Sequence, residues 1–168
     1  MEERQRGLSY AKVGQIIELV EKMSVLGGAA DKEGLAYALG VTIHSLANPF
    51  KAAELLNFVT VLEDHIALTK EGRQSAQGNN AQRKQIFGKQ ISDLEPFSTI
   101  LRALGKEPEM TGPSLLKLVK TKVPAARKWK QGTDREMLRT IINWAEFGNL
   151  LGRDKESGSV RPVGSTRS

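Results

Sequence analysis

The chain has 168 residues, no cysteine, and only two histidines, His44 and His65. Without cysteine there is no disulfide, no thiolate nucleophile and no cysteine metal site, and two histidines are too few for a histidine cluster. No metal and no cofactor is expected. Long apolar runs are also missing. The 39% hydrophobic residues are dispersed, nothing approaches the ~20 residues of a membrane span, and the opening "MEERQRGLSY" lacks a signal-peptide core. A cytoplasmic location without membrane insertion is the expectation. Enzyme signatures are absent as well. "FGKQ" and "LGKEP" lack the rest of a phosphate cradle, and there is no nucleophile elbow or paired histidine and carboxylate. Asp93 and Glu95 stand two apart, which on a helix sends them to different faces. The expectation is a non-enzyme with no catalytic residue.

What the chain does have is an uneven charge. Residues 1–80 hold 8 Lys and Arg against 10 Asp and Glu, a balance of −2, and residues 81–168 hold 17 against 9, a balance of +8. The formal net charge of +6 therefore lies wholly in the second half.

The hydrophobic periodicity predicts a mainly α protein. Val13, Ile16, Ile17, Val20 and Met23 recur at three- and four-residue spacing, and Gly27 and Gly28 close that helix. Asp31 is the expected N-cap of a second helix carrying Leu35, Ala36 and Leu39 up to Gly40, and Thr42 of a third carrying Leu46, Phe50, Ala53 and Leu56. Pro49 either bends this third helix or moves its start to about residue 48. "FVTVL" and "HIAL" follow as two strands joined tightly at Glu63 and Asp64, and Thr69 caps the next helix. This order is that of a winged helix-turn-helix, three helices plus a two-stranded wing, expected over 11–78.

Turn residues in "QGNNAQ" mark a soft boundary, and a helical bundle is expected over 79–152. Its stripes are Ile86, Phe87, Ile91 and Leu94, then Phe97, Ile100, Leu101 and Leu104, then Leu115, Leu116 and Val119 after Pro113. Thr133 and Glu136 have the spacing of a capping box, opening a helix with Met137, Leu138, Ile141, Ile142 and Ala145 inside and Trp144 and Phe147 beside them; Gly152 is expected to close it. Residues 1–10 and 153–168 are expected to be flexible tails, since "SGSVRPVGSTRS" is small, polar and basic.

Two groups of residues are candidate binding sites. A groove-reading helix would expose His44, Ser45, Asn48 and Lys51, although Glu54 joins them and Glu63 and Asp64 at the wing tip would face phosphates. The second is a run without acids from Met110 to Thr133 that holds Lys117, Lys120, Lys122, Arg127, Lys128 and Lys130, with Trp129 among them. It is either a surface for phosphates, anionic lipid heads or an acidic protein face, or a solvated helix face with the indole folded onto the core.

The stretches "DKEGLAYALGV", "ANPFKAAELLNFVTV", "IALTKEGRQSA", "AQRKQIFGKQI" and "LRTIINWAEFGNLL" together resemble the AAA-associated C-terminal domain. That domain follows the ATP-binding subunit of nitrate-, sulfonate- and taurine-type ABC transporters. The likeness runs from about Val13 to Leu151, with "LTKEG", "RKQIF" and "INW" as its most specific parts. It implies a free-standing, non-catalytic regulatory or interaction module, with an ABC transporter ATPase subunit as a protein partner in trans. It carries over no catalytic residue. Ala145, Glu146 and Phe147 after "INW" depart from the family's Arg-Tyr pair, and the Lys117–Lys130 run is also unusual for it. The alternative is a nucleic-acid-binding transcriptional regulator, as monomer or homodimer, using helix 42–56 for the groove and Lys117–Lys130 for the DNA backbone.

Overall fold

The computed structural model describes residues 11–163, so the expected tail at 1–10 and the last five residues of the expected tail at 153–168 lie outside the described residues. These residues form eight α-helices and five short strands, a mainly helical chain. They divide into two compact units between Phe87 and Gly88.

The first unit begins with helix α1, Val13–Val25, which buries Ile16, Leu19, Val20 and Met23. Gly27 and Gly28 follow at φ 96° and 93°, a region glycine enters without a Cβ clash, and the Gly28 amide returns to the Met23 carbonyl at 2.7 Å. Strand β1, Ala29–Asp31, comes next. Asp31 then caps α2, Lys32–Leu39, by accepting from the Gly34 amide, and Gly40 ends it at φ 69°. The third helix starts as a 3-10 turn at His44–Leu46 and continues as α3, Ala47–Leu55. Pro49 falls in the first turn of α3, where its missing N–H costs no helical bond, and the expected Leu46, Phe50, Ala53 and Leu56 are all buried.

Strands β2, Val59–Leu62, and β3, His65–Leu68, form an antiparallel hairpin closed by Glu63 and Asp64. The sheet has a third member. β1 pairs with β3 in register Ala29↔Ala67, so the order is β1-β3-β2. Thr69 ends the hairpin and starts α4, Lys70–Gln77, accepting from the Gly72 amide at 3.0 Å and donating to the Asn57 carbonyl at 2.6 Å. Asn79 and Gln82 then cap α5, Asn80–Ser92, reciprocally, each side chain accepting from the other's amide at 2.8 Å. Arg83 donates to the Ser75 and Ala76 carbonyls at the end of α4 and meets Glu21 of α1 at 2.6 Å.

The second unit contains α6, Phe97–Lys106, α7, Gly112–Lys122, and α8, Thr133–Phe147, with a 3-10 turn at Pro124–Lys128. Trp144 is fully buried, its ring 6.1 Å from that of Phe97 and 7° from parallel.

Three sequence expectations are corrected in this unit. The Thr133–Glu136 capping box is not formed: Gly132 is the N-cap, and Asp134 instead accepts from the Gly132 amide at 3.2 Å. Gly132 enters the helix at φ 98°, leaving Thr133 inside the first turn. Helix α8 also ends at Phe147 with Gly148 as its cap, while Gly152 lies in strand β4, Leu151–Arg153. Finally, the expected flexible tail folds back, because β5, Val160–Pro162, pairs with β4. Beyond that pairing, Val160 anchors it: it is fully buried and exchanges bonds of 3.0 and 2.8 Å with Met110. Such an anchor is too short to register in composition.

No helix among the described residues is long and apolar enough to cross a membrane.

In the second unit α5 and the end of α8 touch through glycines, and a Cβ on Gly88 would overlap the Gly148 carbonyl. Gly88→Ala should therefore destabilise by about 1–3 kcal/mol through overpacking. Gly105→Ala, on an open face of α6, should stabilise by about 0.5–1 kcal/mol. Urea unfolding of the two variants checks the opposite signs.

Candidate functional site

Two surfaces carry the candidate residues, one in each unit. In the first unit, the tip of the β2–β3 hairpin is tied down, since the Lys32 amide donates to the Asp64 carbonyl at 2.9 Å. The Lys32 ammonium sits 5.9 Å from the centre of the Phe50 ring, a cation–π approach that holds the start of α2 against α3. Around this junction Asp31, Lys32, Glu33, Ile43, Asp64 and His65 line a shallow depression. A second depression adjoins it through Asp31 and His65 and adds Leu62 and the outer face of the sheet. Ile43 and Leu62 thus border one continuous surface. Leu62 is 76% exposed and Ile43 42%, and Tyr37 on α2 is 90% exposed.

Of the expected groove-reading residues, His44 and Ser45 lie on the 3-10 turn and Asn48 and Lys51 on α3, all exposed. The Ser45 hydroxyl donates to the Thr42 carbonyl at 2.7 Å, and its amide donates to the Thr42 hydroxyl at 3.2 Å. Both donors of Ser45 are therefore engaged by Thr42. Lys51 is the one cation of the group. The unit Ser9–Phe87 holds eight basic against eight acidic residues, a balance of zero.

The second surface is basic. Lys117, Lys120 and Lys122 project from α7, with Lys120 and Lys122 in its last turn, where cations complement the helix dipole. Arg127 and Lys128 follow on the 3-10 turn, then Trp129 and Lys130. The Arg127 guanidinium donates to the Thr121 carbonyl at 3.0 Å, which holds the turn against the end of α7. Lys120 reaches the Asp134 carboxylate at 3.3 Å and fastens α7 to the first turn of α8. Trp129 is half-buried, and the other cations of the run are exposed. Arg135, exposed beside Asp134 at the start of α8, extends the charge beyond the run singled out in the sequence, and Arg139 is exposed one turn further on. Arg135 was legible as a cation but not as lying near the end of α7, because the Lys120–Asp134 pair that joins the helices spans fourteen residues.

The family assignment rests on the sequence of this whole arrangement, from α2 to the turn after β4. The chain belongs to the C-terminal AAA-associated domain family. The family's sequence model matches residues 33–154. No curated protein and no solved structure matches the chain. Both surfaces fall largely inside the AAA-associated span, whereas α1 and β1 precede it.

Burial alone would raise the Asp134 pKa, but the Lys120 ammonium and the amides of Gly132 and Arg135 outweigh it and hold the carboxyl below its ordinary 3.8. A depressed folded value means that the carboxylate's stabilisation is complete above the unfolded value and is lost as pH falls through the folded one. Urea midpoints of the protein and of Asp134→Asn should differ near neutral pH and converge as pH drops below 3.8. Curves that stay parallel throughout would sink this assignment.

Proposed function

We propose that the chain is a non-catalytic interaction module of the cytosol that binds a protein partner, an ATP-binding subunit of an ABC transporter. Membership of the AAA-associated family supports the partner class. The observation that carries the reading is the surface bordered by Ile43 and Leu62. It presents the exposed Leu62 on a tied-down hairpin and the exposed Ile43 at the start of the 3-10 turn, in a unit whose charges balance. Large exposed apolar groups on ordered backbone are what a partner covers with little ordering entropy.

The order α1–β1–α2–α3–β2–β3, with the sheet ordered β1-β3-β2, supports reading this unit as a winged helix-turn-helix used for protein contact. The alternative of a groove-reading regulator draws less support. Its helix offers one cation, and its wing tip is acidic, in an interaction dominated by phosphate charge.

The test is affinity capture of the tagged protein from its native lysate, with and without nuclease, and mass spectrometry of what is retained. A transporter ATP-binding subunit should remain after nuclease. Leu62→Glu should retain at least about tenfold less of it, since a buried leucine is worth about 1.5–3 kcal/mol, with an unchanged circular dichroism spectrum. If every protein partner vanished with nuclease, the reading would be wrong.

A further inference from the structure

Between Lys117 and Arg139 there are eight basic residues and only two acidic ones, Asp134 and Glu136. That surplus of six equals the formal net charge of the whole chain, +6. One of the eight, Lys120, is paired with the buried Asp134, and the other seven are exposed. Concentrated like charge destabilises a compact state by self-repulsion and raises the local concentration of anions. Here it stands on ordered backbone. Val123 and Ala126 are buried beneath the turn, Arg127 is held to the Thr121 carbonyl, and the Asp134 amide bonds the Lys130 carbonyl at 3.0 Å.

The indole distinguishes among polyanions. Trp144 is fully buried in the core, whereas Trp129 is partly exposed between Lys128 and Lys130, outside any helix. A flat ring flanked by cations matches a chain that alternates phosphates with planar bases, and a surface of carboxylates makes no use of it. The shape distinguishes the strand state. The segment 123–132 is a tight turn followed by irregular chain, not a protruding helix able to enter a major groove. The first turn of α8 is already filled by the Asp134 carboxylate on the Gly132 amide. Phosphates would therefore be met by side chains and not by helix-end amides, which makes contact independent of sequence and steeply dependent on salt.

We propose that the surface formed by the end of α7, the 3-10 turn and the first turn of α8 binds single-stranded nucleic acid, with Lys122, Lys128, Lys130 and Arg135 on the phosphates and Trp129 stacked on a base. This site belongs to the second unit and the protein-docking surface to the first, and neither proposal depends on the other.

The test is fluorescence anisotropy of the full chain with a labelled oligothymidine of ~20 nucleotides, long enough for more than one such site. Four phosphate contacts at the single-strand slope predict a loss of affinity of about 50-fold between roughly 50 and 200 mM salt. The combined variant Lys122→Glu, Lys128→Glu, Lys130→Glu should lose most of the binding, all three side chains being exposed. Trp129→Ala should weaken binding about tenfold, and Trp129→Phe should recover most of it, which separates stacking from a folding defect. Intrinsic fluorescence should fall on binding in the wild type and not in Trp129→Phe, where only buried Trp144 remains.

The proposal is overturned by any of four results: no binding at the lower salt; a duplex of equal length, poly-L-glutamate or phosphatidylserine vesicles binding as tightly as the single strand; Trp129→Ala leaving affinity unchanged; or Lys51→Glu costing as much as the triple variant, which would move the contact to α3.

Discussion

Strand β3 is the constraint on which the first unit depends, because both of its edges are occupied. β2 pairs with it through a two-residue turn and β1 pairs with it from the other side. Two further bonds extend the sheet at the same end, from the Leu68 amide to the Gly28 carbonyl at 2.8 Å and from the Thr69 amide to the Phe58 carbonyl at 2.9 Å. A two-stranded hairpin alone is marginal in water. The third strand completes the hydrogen bonding of β3, and it is available only because Gly27 and Gly28 turn the chain back from the end of α1. Ile66 and Leu68 are then buried, while Leu62 remains outside on the hairpin. The exposed surface and the core are thus two consequences of one register, since neighbouring strand residues face opposite ways.

The second unit balances a different pair of demands. Its interior is packed to the point where glycine is required, with Gly88 against Gly148 and Trp144 stacked on Phe97. Its surface carries the whole net positive charge of the chain. The Lys120–Asp134 pair joins these demands by bringing one cation of the basic run into a half-buried link between α7 and α8, leaving the others outward. A second ion pair, Glu146 with Arg153 at 3.0 Å, ties α8 to β4, although its approach lies outside hydrogen-bond geometry. At the far end Asp154 accepts from the Glu156 and Ser157 amides, which hold its carboxyl below the usual carboxylate range and shape the loop between β4 and β5.

Much of the helical architecture was legible because its signals are local. Asp31 and Thr69 cap the helices expected of them, Gly40 ends α2 in the left-handed region, and the buried set on α3 is the one its spacing indicates. The site was legible as composition, with the acid-free run visible as cations around Trp129 and the hairpin tip visible as Glu63 and Asp64. Other features escaped because their cause lies elsewhere in the chain. β1 is Ala-Ala-Asp, which has no strand character until β3 lies beside it. The Asn79–Gln82 cap looked like a boundary because turn residues and cap residues are the same residue types. Thr133 and Glu136 had the right spacing for a box, but Gly132, entering the helix at φ 98°, takes the cap position and leaves Thr133 inside the first turn.

The sequence by itself determined the helix positions, the segregation of charge into the second half and the family to which the chain belongs. Each of these follows from residue types and spacings within a few turns of chain. Only the tertiary structure decided the rest: that Ala29–Asp31 is a strand, that Val160 is core, that Lys120 is spent on Asp134 while its neighbours face solvent, and that Ile43 and Leu62 border one surface. Those outcomes depend on partners far apart in sequence. A short polar or alanine-rich segment has no conformational preference strong enough to reveal its partner before the chain brings the two together.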